Sequence, residues 1–325
     1  MPIIKPGHQP KFSWEALRVD DDLGTVSGVV TEGAVLAHAF SIGENADMFT
    51  QGLPGIGPFV PPSLLVNDLL KLFLVGYDCT EFGTGGGLHT RALITNHAPL
   101  PIGADVSITG KHVAKFIRKG RHHRSVLTEV RASGKLIAEM LATETVGYTN
   151  DHGPDEGQPP ENWAGALPIV TTGRPANAPT AVAGQPVGAG TVLGPVRRWV
   201  GLEQSVLFSG FPFSWAQERG NMRQGLHTNF DLARKAGYSM PVVQGLMSAS
   251  HLTSLLLRQY GARFFDDSQL ALNFVAPLLA ETWLNSQAVA IESPQADGRT
   301  VDLMSLVSYD DTGKIYTAGY GKVPR

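Results

Sequence analysis

The sequence predicts an α+β fold made of two copies of one unit, a long buried helix followed by an antiparallel sheet, and three observations carry that prediction. Leu64 to Val75 places leucine, phenylalanine and valine around most of a helical circumference, the pattern of a helix buried on all sides. After the glycine run Gly83 to Gly87 the periodicity shifts to two, the signature of strands with one face on a core. The same order then returns: Ala98-Pro99-Leu100 recurs as Ala276-Pro277-Leu278 and Gly134-Lys135-Leu136 as Gly313-Lys314-Ile315, at nearly one offset.

In the first copy, Lys11 to Leu36 reads as an entry segment with one or two strands, and Asp20-Asp21-Asp22 as an exposed turn. Ala37 to Phe49 reads as a short helix running into a turn, and Ser63 as the N-cap of the buried helix. Strands follow at His89 to Thr95, Ala104 to Ile108, Val113 to Arg118, Ser125 to Ala132 and Leu136 to Val146. Residues 151–195 are dense in Gly, Pro, Ala and Thr and read as the connection between an N-terminal unit, 1–150, and a C-terminal unit, 196–325. In the second unit Met247 to Tyr260 is the apolar helix, followed by strands at Gln269 to Phe274, Thr282 to Ile291, Val301 to Asp310 and Lys314 to Lys322.

With 325 residues, 42% hydrophobic and 17% charged, the chain has the apolar mass for a large core and exceeds what one core usually organises. A net charge of -3 offers no global attraction to nucleic acid or an anionic membrane. Cys79 is the single cysteine, which precludes an intrachain disulfide and reads as a buried thiol in a reducing compartment. The first residues lack an apolar signal core and no stretch has the length of a membrane span, so the expectation is a cytoplasmic protein. Gly83 to Gly87 lacks the lysine-serine/threonine sequel of a phosphate-binding loop, and no Gly-x-Ser-x-Gly elbow occurs. His122-His123 has no acidic or cysteine ligand at a supporting spacing, so no metal is expected.

Chemistry concentrates between Gly220 and Leu252. His227 precedes a short helical segment, Phe230 to Ala236; Gly237 and Pro241 follow, and Gly245 opens the apolar helix. An imidazole beside a helix N-terminus is what proton transfer on an activated carbonyl compound requires. His227, Ala233-Arg234-Lys235-Ala236-Gly237, Pro241 and Gln244-Gly245-Leu246-Met247 resemble, in spacing, the motif of the MaoC-like family of (R)-specific enoyl-CoA hydratases and dehydratases. Phe274 and Ala276-Pro277-Leu278 resemble that family's phenylalanine-x-x-Pro-Leu element. The likeness covers Ser214 to Val323 well and Ala37 to Val146 weakly.

The resemblance implies a double hotdog fold and a lyase that adds water to, or removes it from, an acyl thioester. The thioester is carried on coenzyme A or an acyl carrier protein, in fatty acid or polyketide metabolism. No separate cofactor is implied, since coenzyme A or phosphopantetheine is part of the substrate. His227 would be the base and the Gly245 N–H the oxyanion donor, with glycine required there for a substrate carbonyl to approach the backbone. The family's aspartate five residues before the histidine is Met222 here; Asn221 takes its place if one residue is inserted, and asparagine exchanges no proton. Phe40 to Asn45 resembles a degenerate first copy, with Glu44 at the aspartate position and Phe49 at the histidine's, in a half that would hold the substrate's tail. Arg223, Asn229 and Gln244 are candidate substrate contacts, and His251 reads as core. Lys111, Arg118 and Arg121, within the basic run Lys111 to Arg124, are candidates for gripping a phosphate or an acidic carrier protein. The alternatives are a cyclase or isomerase on a carrier-bound intermediate and a non-catalytic acyl-CoA-binding module. A homodimer is expected by analogy, because hotdog sheet edges pair.

Overall fold

Period-two alternation of apolar residues along ten long segments builds a single antiparallel sheet. A computed structural model describes residues 13–69, 87–147, 152–160, 172–210, 225–292, 295–296 and 299–325. Cys79, Asn221, Met222, Arg223 and most of Gly83 to Gly87 lie outside the described residues.

The first half supplies β1 (Asp22–Val29), α1 (Glu32–Ser41), α2 (Asp47–Thr50), α3 (Pro62–Leu69), β2 (His89–Asn96), β3 (Asp105–Arg118), β4 (Arg121–Ala132) and β5 (Lys135–Thr145). The second supplies β6 (Val192–Val200), α4 (Leu202–Gly210), α5 (Phe230–Lys235), α6 (Gly245–Tyr260), β7 (Ser268–Phe274), β8 (Thr282–Glu292), β9 (Gln295–Ala296), β10 (Arg299–Asp310) and β11 (Ile315–Pro324). The sheet runs β1-β3-β4-β5-β2-β7-β11-β10-β8-β6, with the short β9 paired to β10. The halves join where β2 pairs antiparallel with β7, in a register from Arg91 opposite Asn273 to Asn96 opposite Ser268.

One buried apolar cluster runs through both halves, from Val26 and Ile94 to Leu252, Leu272 and Leu306. At its centre lies α6, buried from Leu246 to Leu257, as its apolar circumference predicts. His251 sits there at 1% exposure, in the core as expected. The recurring tripeptides occupy matched places. Val60 N–H donates to Leu100 O at 2.8 Å in the first half, and Val243 N–H donates to Leu278 O at 2.8 Å in the second. In each half the Ala-Pro-Leu element therefore clamps the chain entering the apolar helix.

Several expectations need correction. Lys11 to Leu36 carries an expected strand, β1, but the helix expected from Ala37 starts earlier, at Glu32, because the Thr31 side chain caps it, accepting from Ala34 N–H. Ser63 is not an N-cap; α3 starts at Pro62, and Ser63 Oγ lies 2.8 Å from His38 Nε2. The two strands expected between Ala104 and Arg118 are the single β3. The end of the expected connection is the start of β6. Its described remainder packs on both halves: Ile117 N–H donates to Glu156 O at 2.7 Å in the first, and Gln259 Nε2 donates to Val182 O and Gln185 O in the second.

Candidate active site at the seam between the halves

His227 is held by backbone geometry. Residues 225–228 form a turn in which the N–H groups of Thr228 and Asn229 both donate to Gly225 O, and Gly225 N–H donates to Thr228 Oγ1. Asn229 then ends the turn as the N-cap of α5: its Oδ1 accepts from Asp231 N–H at 2.9 Å and from Leu232 N–H at 3.1 Å. The structure thus gives this candidate substrate contact a local structural job. His227 Nδ1 lies 2.6 Å from Val242 O. A carbonyl only accepts, so Nδ1 carries the proton, and in the neutral ring Nε2 carries the lone pair. Val242 is itself pinned, since its N–H donates to Leu226 O and its neighbour's N–H to Leu278 O.

Two residues on, α6 begins without a side-chain cap. No described residue supplies an acceptor for the Gly245 N–H, which stays available to an oxyanion. The reason for glycine differs from the one expected. A Cβ at position 245 would lie 2.8 Å from the Phe274 ring, so a protein side chain, not a substrate carbonyl, occupies the space. Gln244 is 6% exposed and its Oε1 accepts from Ser209 Oγ at 3.2 Å, which marks it as a buried fixture beside the helix start.

The first half reaches the same place. Leu88 packs on the small cluster of Leu226, Ala233 and Val242 that positions His227. Its neighbour His89 stacks on Phe274, with ring centroids 5.5 Å apart and planes 23° from parallel. Behind His89, on adjacent strands, stand Glu144 and Arg124, opposite one another in the β4–β5 register. Glu144 Oε2 accepts from Arg124 Nε at 3.1 Å and from Nη2 at 2.5 Å, while Oε1 lies 3.2 Å from His89 Nε2, in ion-pair range rather than in line for a good hydrogen bond. Burial pulls His89 below its ordinary pKa and outweighs the opposing pull of Glu144.

Sequence reasoning left Arg124 among surface cations and passed over His89 and Glu144, although the signal was there. With Val126, Thr128 and Val130 facing the core, Arg124 falls on the same phase of its strand, and Glu144 falls in phase with Ala142, Met140 and Ala138. Two opposite charges on core-facing phases of paired strands predict a buried pair.

The other basic candidates do not gather into one patch. Arg118 and Arg121 face each other at the tip of the β3–β4 hairpin, where Arg118 pairs with Asp155 at 3.4 Å and Arg121 is exposed. Lys111 is exposed roughly 23 Å further along β3. In the first-half segment likened to the motif, Asn45 Oδ1 accepts from Asp47 N–H at 3.0 Å. Phe49 is inside α2 and packs edge-on against Phe59, which meets Phe265 in the same way, filling that corner with rings. Glu44 is 3% exposed, 2.8 Å from Arg198, and also pairs with Arg258.

No protein-family model and no curated protein matches this sequence. Solved structures do match it, over nearly its whole length. A protein of Chloroflexus aurantiacus J-10-fl assigned as a MaoC domain dehydratase superposes with a TM-score of 0.67 at 13% identity, over 98% of each chain. A MaoC-like dehydratase from Phytophthora capsici gives 0.64 at 13%, over 97% of this chain and 98% of that one. A Mycobacterium tuberculosis protein described as having a double hotdog fold gives 0.61 at 11%, over 97% and 98%. The fold is the double hotdog. In this double hotdog the first half brings Leu88 against the cluster beside the His227 turn, and His89 against the Phe274 ring that fills the space at Gly245. Among the described residues no group of three His, Cys, Asp or Glu side chains is arranged to hold a metal, and no helix is long and apolar enough to cross a membrane.

Proposed function

We propose that this double hotdog is a hydratase or dehydratase of acyl thioesters, with His227 as the base that activates water and the Gly245 N–H as the donor to the enolate oxygen. The observation that carries this reading is the bond from His227 Nδ1 to Val242 O. It fixes the tautomer that leaves Nε2 basic, three residues ahead of an uncapped helix N-terminus whose dipole favours developing negative charge. Several structural neighbours are described as dehydratases, which supports the same reading. Coenzyme A or a phosphopantetheine arm would enter as part of the substrate, with Arg118 and Arg121 at the hairpin tip as candidate cations to meet its phosphates.

The test is a panel of trans-2-enoyl-CoA thioesters, followed by loss of the conjugated thioester absorbance. Wild type is expected to turn over at least one chain length, and His227→Ala to lose about 100-fold or more in kcat. Binding without turnover on every chain length, with His227→Ala indistinguishable from wild type, would instead identify an acyl-CoA-binding module.

A further inference from the structure

Two histidines distant in sequence lie ring on ring at the tip of the β3–β4 hairpin. The tip is turned by Lys119 and Gly120, both with positive φ, so that Arg118 stands opposite Arg121, Ile117 opposite His122 and Phe116 opposite His123. Two other segments close on it. From the entry segment, Trp14 stacks on His122 with ring centroids 4.0 Å apart and planes 7° from parallel. From the connection, His152 stacks on His122 at 3.8 Å and 15°. The connection is then bonded to the tip of the hairpin by its backbone. His152 N–H donates to Gly120 O at 3.1 Å, Ile117 N–H donates to Glu156 O at 2.7 Å, and Glu156 N–H donates to Ile117 O at 3.2 Å. Asp155 Oδ1 accepts from Lys119 N–H at 2.8 Å, and its Oδ2 lies 3.4 Å from Arg118 Nη1. The fit is close, since a Cβ at Gly157 would lie 2.7 Å from Lys115 O.

We propose that the His122–His152 stack is an acid-released clasp that holds residues 152–157 of the connection on the β3–β4 hairpin. Packing alone does not call for two imidazoles, because phenyl rings stack as well. What imidazoles add is a proton each. Two charged rings in contact repel, so the rings titrate as a pair and the second proton is opposed by the first. Burial first, and then the neighbouring His152, holds His122 below the ordinary histidine range; Glu15 and Glu156 pull the other way, and Lys115, with Nζ 4.5 Å from the Trp14 ring centroid, adds to the depression. Across the tip, Arg118, Arg121 and Asp155 act on His123, which stacks on Phe116 instead. With the folded value depressed, the contribution of His122 is present above its unfolded value of ~6.5 and is lost as the pH falls below that. Above that range both rings are neutral and the clasp is closed. Below it the rings separate, the backbone bonds of His152 and Glu156 open with them, and the Asp155 carboxylate leaves Arg118 and the Lys119 N–H.

The experiment is amide hydrogen exchange on the full-length protein between about pH 7.5 and pH 5, corrected for the pH dependence of intrinsic exchange, with circular dichroism to check folding. Wild type is compared with His122→Phe and His152→Phe, which keep a flat ring at the stack but remove one proton site. In wild type the amides of Ile117, Lys119, His152 and Glu156 are expected to lose about tenfold or more of their protection as the pH falls. In either Phe variant the protection of the hairpin and connection amides is expected to stay constant over the same range. Wild-type protection that persists to the acid end, or a loss of equal size in wild type and both variants, overturns the proposal. Should the variants not fold, proton NMR of the histidine rings in wild type decides. His122 and His152 are expected to titrate in two separated steps, and a single common step near the ordinary histidine value overturns the clasp.

Discussion

Gly245 shows how one position can be constrained from two sides. The proposed mechanism needs its N–H open for an acceptor, while its missing side chain makes room for Phe274, whose ring atoms lie 2.8, 2.9 and 3.0 Å from where a Cβ would be. The ring cannot step aside freely, because His89 stacks on it from the neighbouring strand. Gly245→Ala therefore sets two effects against each other. Alanine's better helix propensity is worth at most about 1 kcal/mol, and less at a helix start, while overpacking in a fixed site costs about 1–3 kcal/mol. The expectation is a net loss of stability in urea denaturation, largely recovered by adding Phe274→Leu, which replaces the flat ring with a smaller flexible side chain. An unchanged midpoint for Gly245→Ala would mean that Phe274 is not held where the stack puts it. The glycine itself was legible in the sequence; its reason was not, because Phe274 is brought to it only by the sheet.

At the scale of elements, legibility follows from how local the signal is. The helix α6 is readable from its own residues, and the hairpin turn at Ser133-Gly134 from turn chemistry, both residues having positive φ, the geometry that matches strand twist. The first four residues of β6 fall in the expected connection, because they continue a stretch dense in Gly, Pro, Ala and Thr that ends at Gly194-Pro195. β6 is nonetheless a strand because it lies at the sheet's edge, pairs with β8 alone, and shifts register between Leu193 and Val196, so that a residue without an N–H is tolerated. Asn229 shows the converse, a polar residue beside a catalytic candidate whose structural work is capping. Asn229→Ala removes the acceptor for two N–H groups of the six-residue α5 and is expected to cost about 1 kcal/mol. Asn229→Asp should cost little, since aspartate caps equally well. Urea midpoints and thioester turnover measured on both variants separate the roles: an Asp variant with wild-type stability but abolished turnover would restore Asn229 as a substrate contact.

Over the whole molecule, what stayed hidden in the sequence is what two halves make together. Leu88 and His89 are each ordinary in their own strand, and only the β2–β7 pairing carries Leu88 to the cluster beside the His227 turn and His89 to Phe274 of the other half. The same deep burial leaves a global trace in acid. Burial holds His112 and His123 at about 4 and His251 at about 3, so all three are neutral in the fold at pH 7. In the unfolded chain each titrates near ~6.5. As pH falls below that value the unfolded state binds protons that the folded state refuses, so stability is lost, continuing down to about 4 for His112 and His123 and about 3 for His251. Each histidine adds a slope of up to about 1.4 kcal/mol per pH unit within its window. The depressed carboxyls of Asp310 and Asp311 act with the same sign, but only once the pH reaches the ordinary carboxylate range. Urea midpoints should accordingly fall between pH 6.5 and pH 5, ahead of any carboxylate titration, and His251→Leu should flatten the profile by one proton's slope even if it lowers stability at pH 7. A profile flat from pH 7 to pH 5 would show that these histidines reach protons in the folded state, and that the core around α6 is more open to water than its burial indicates.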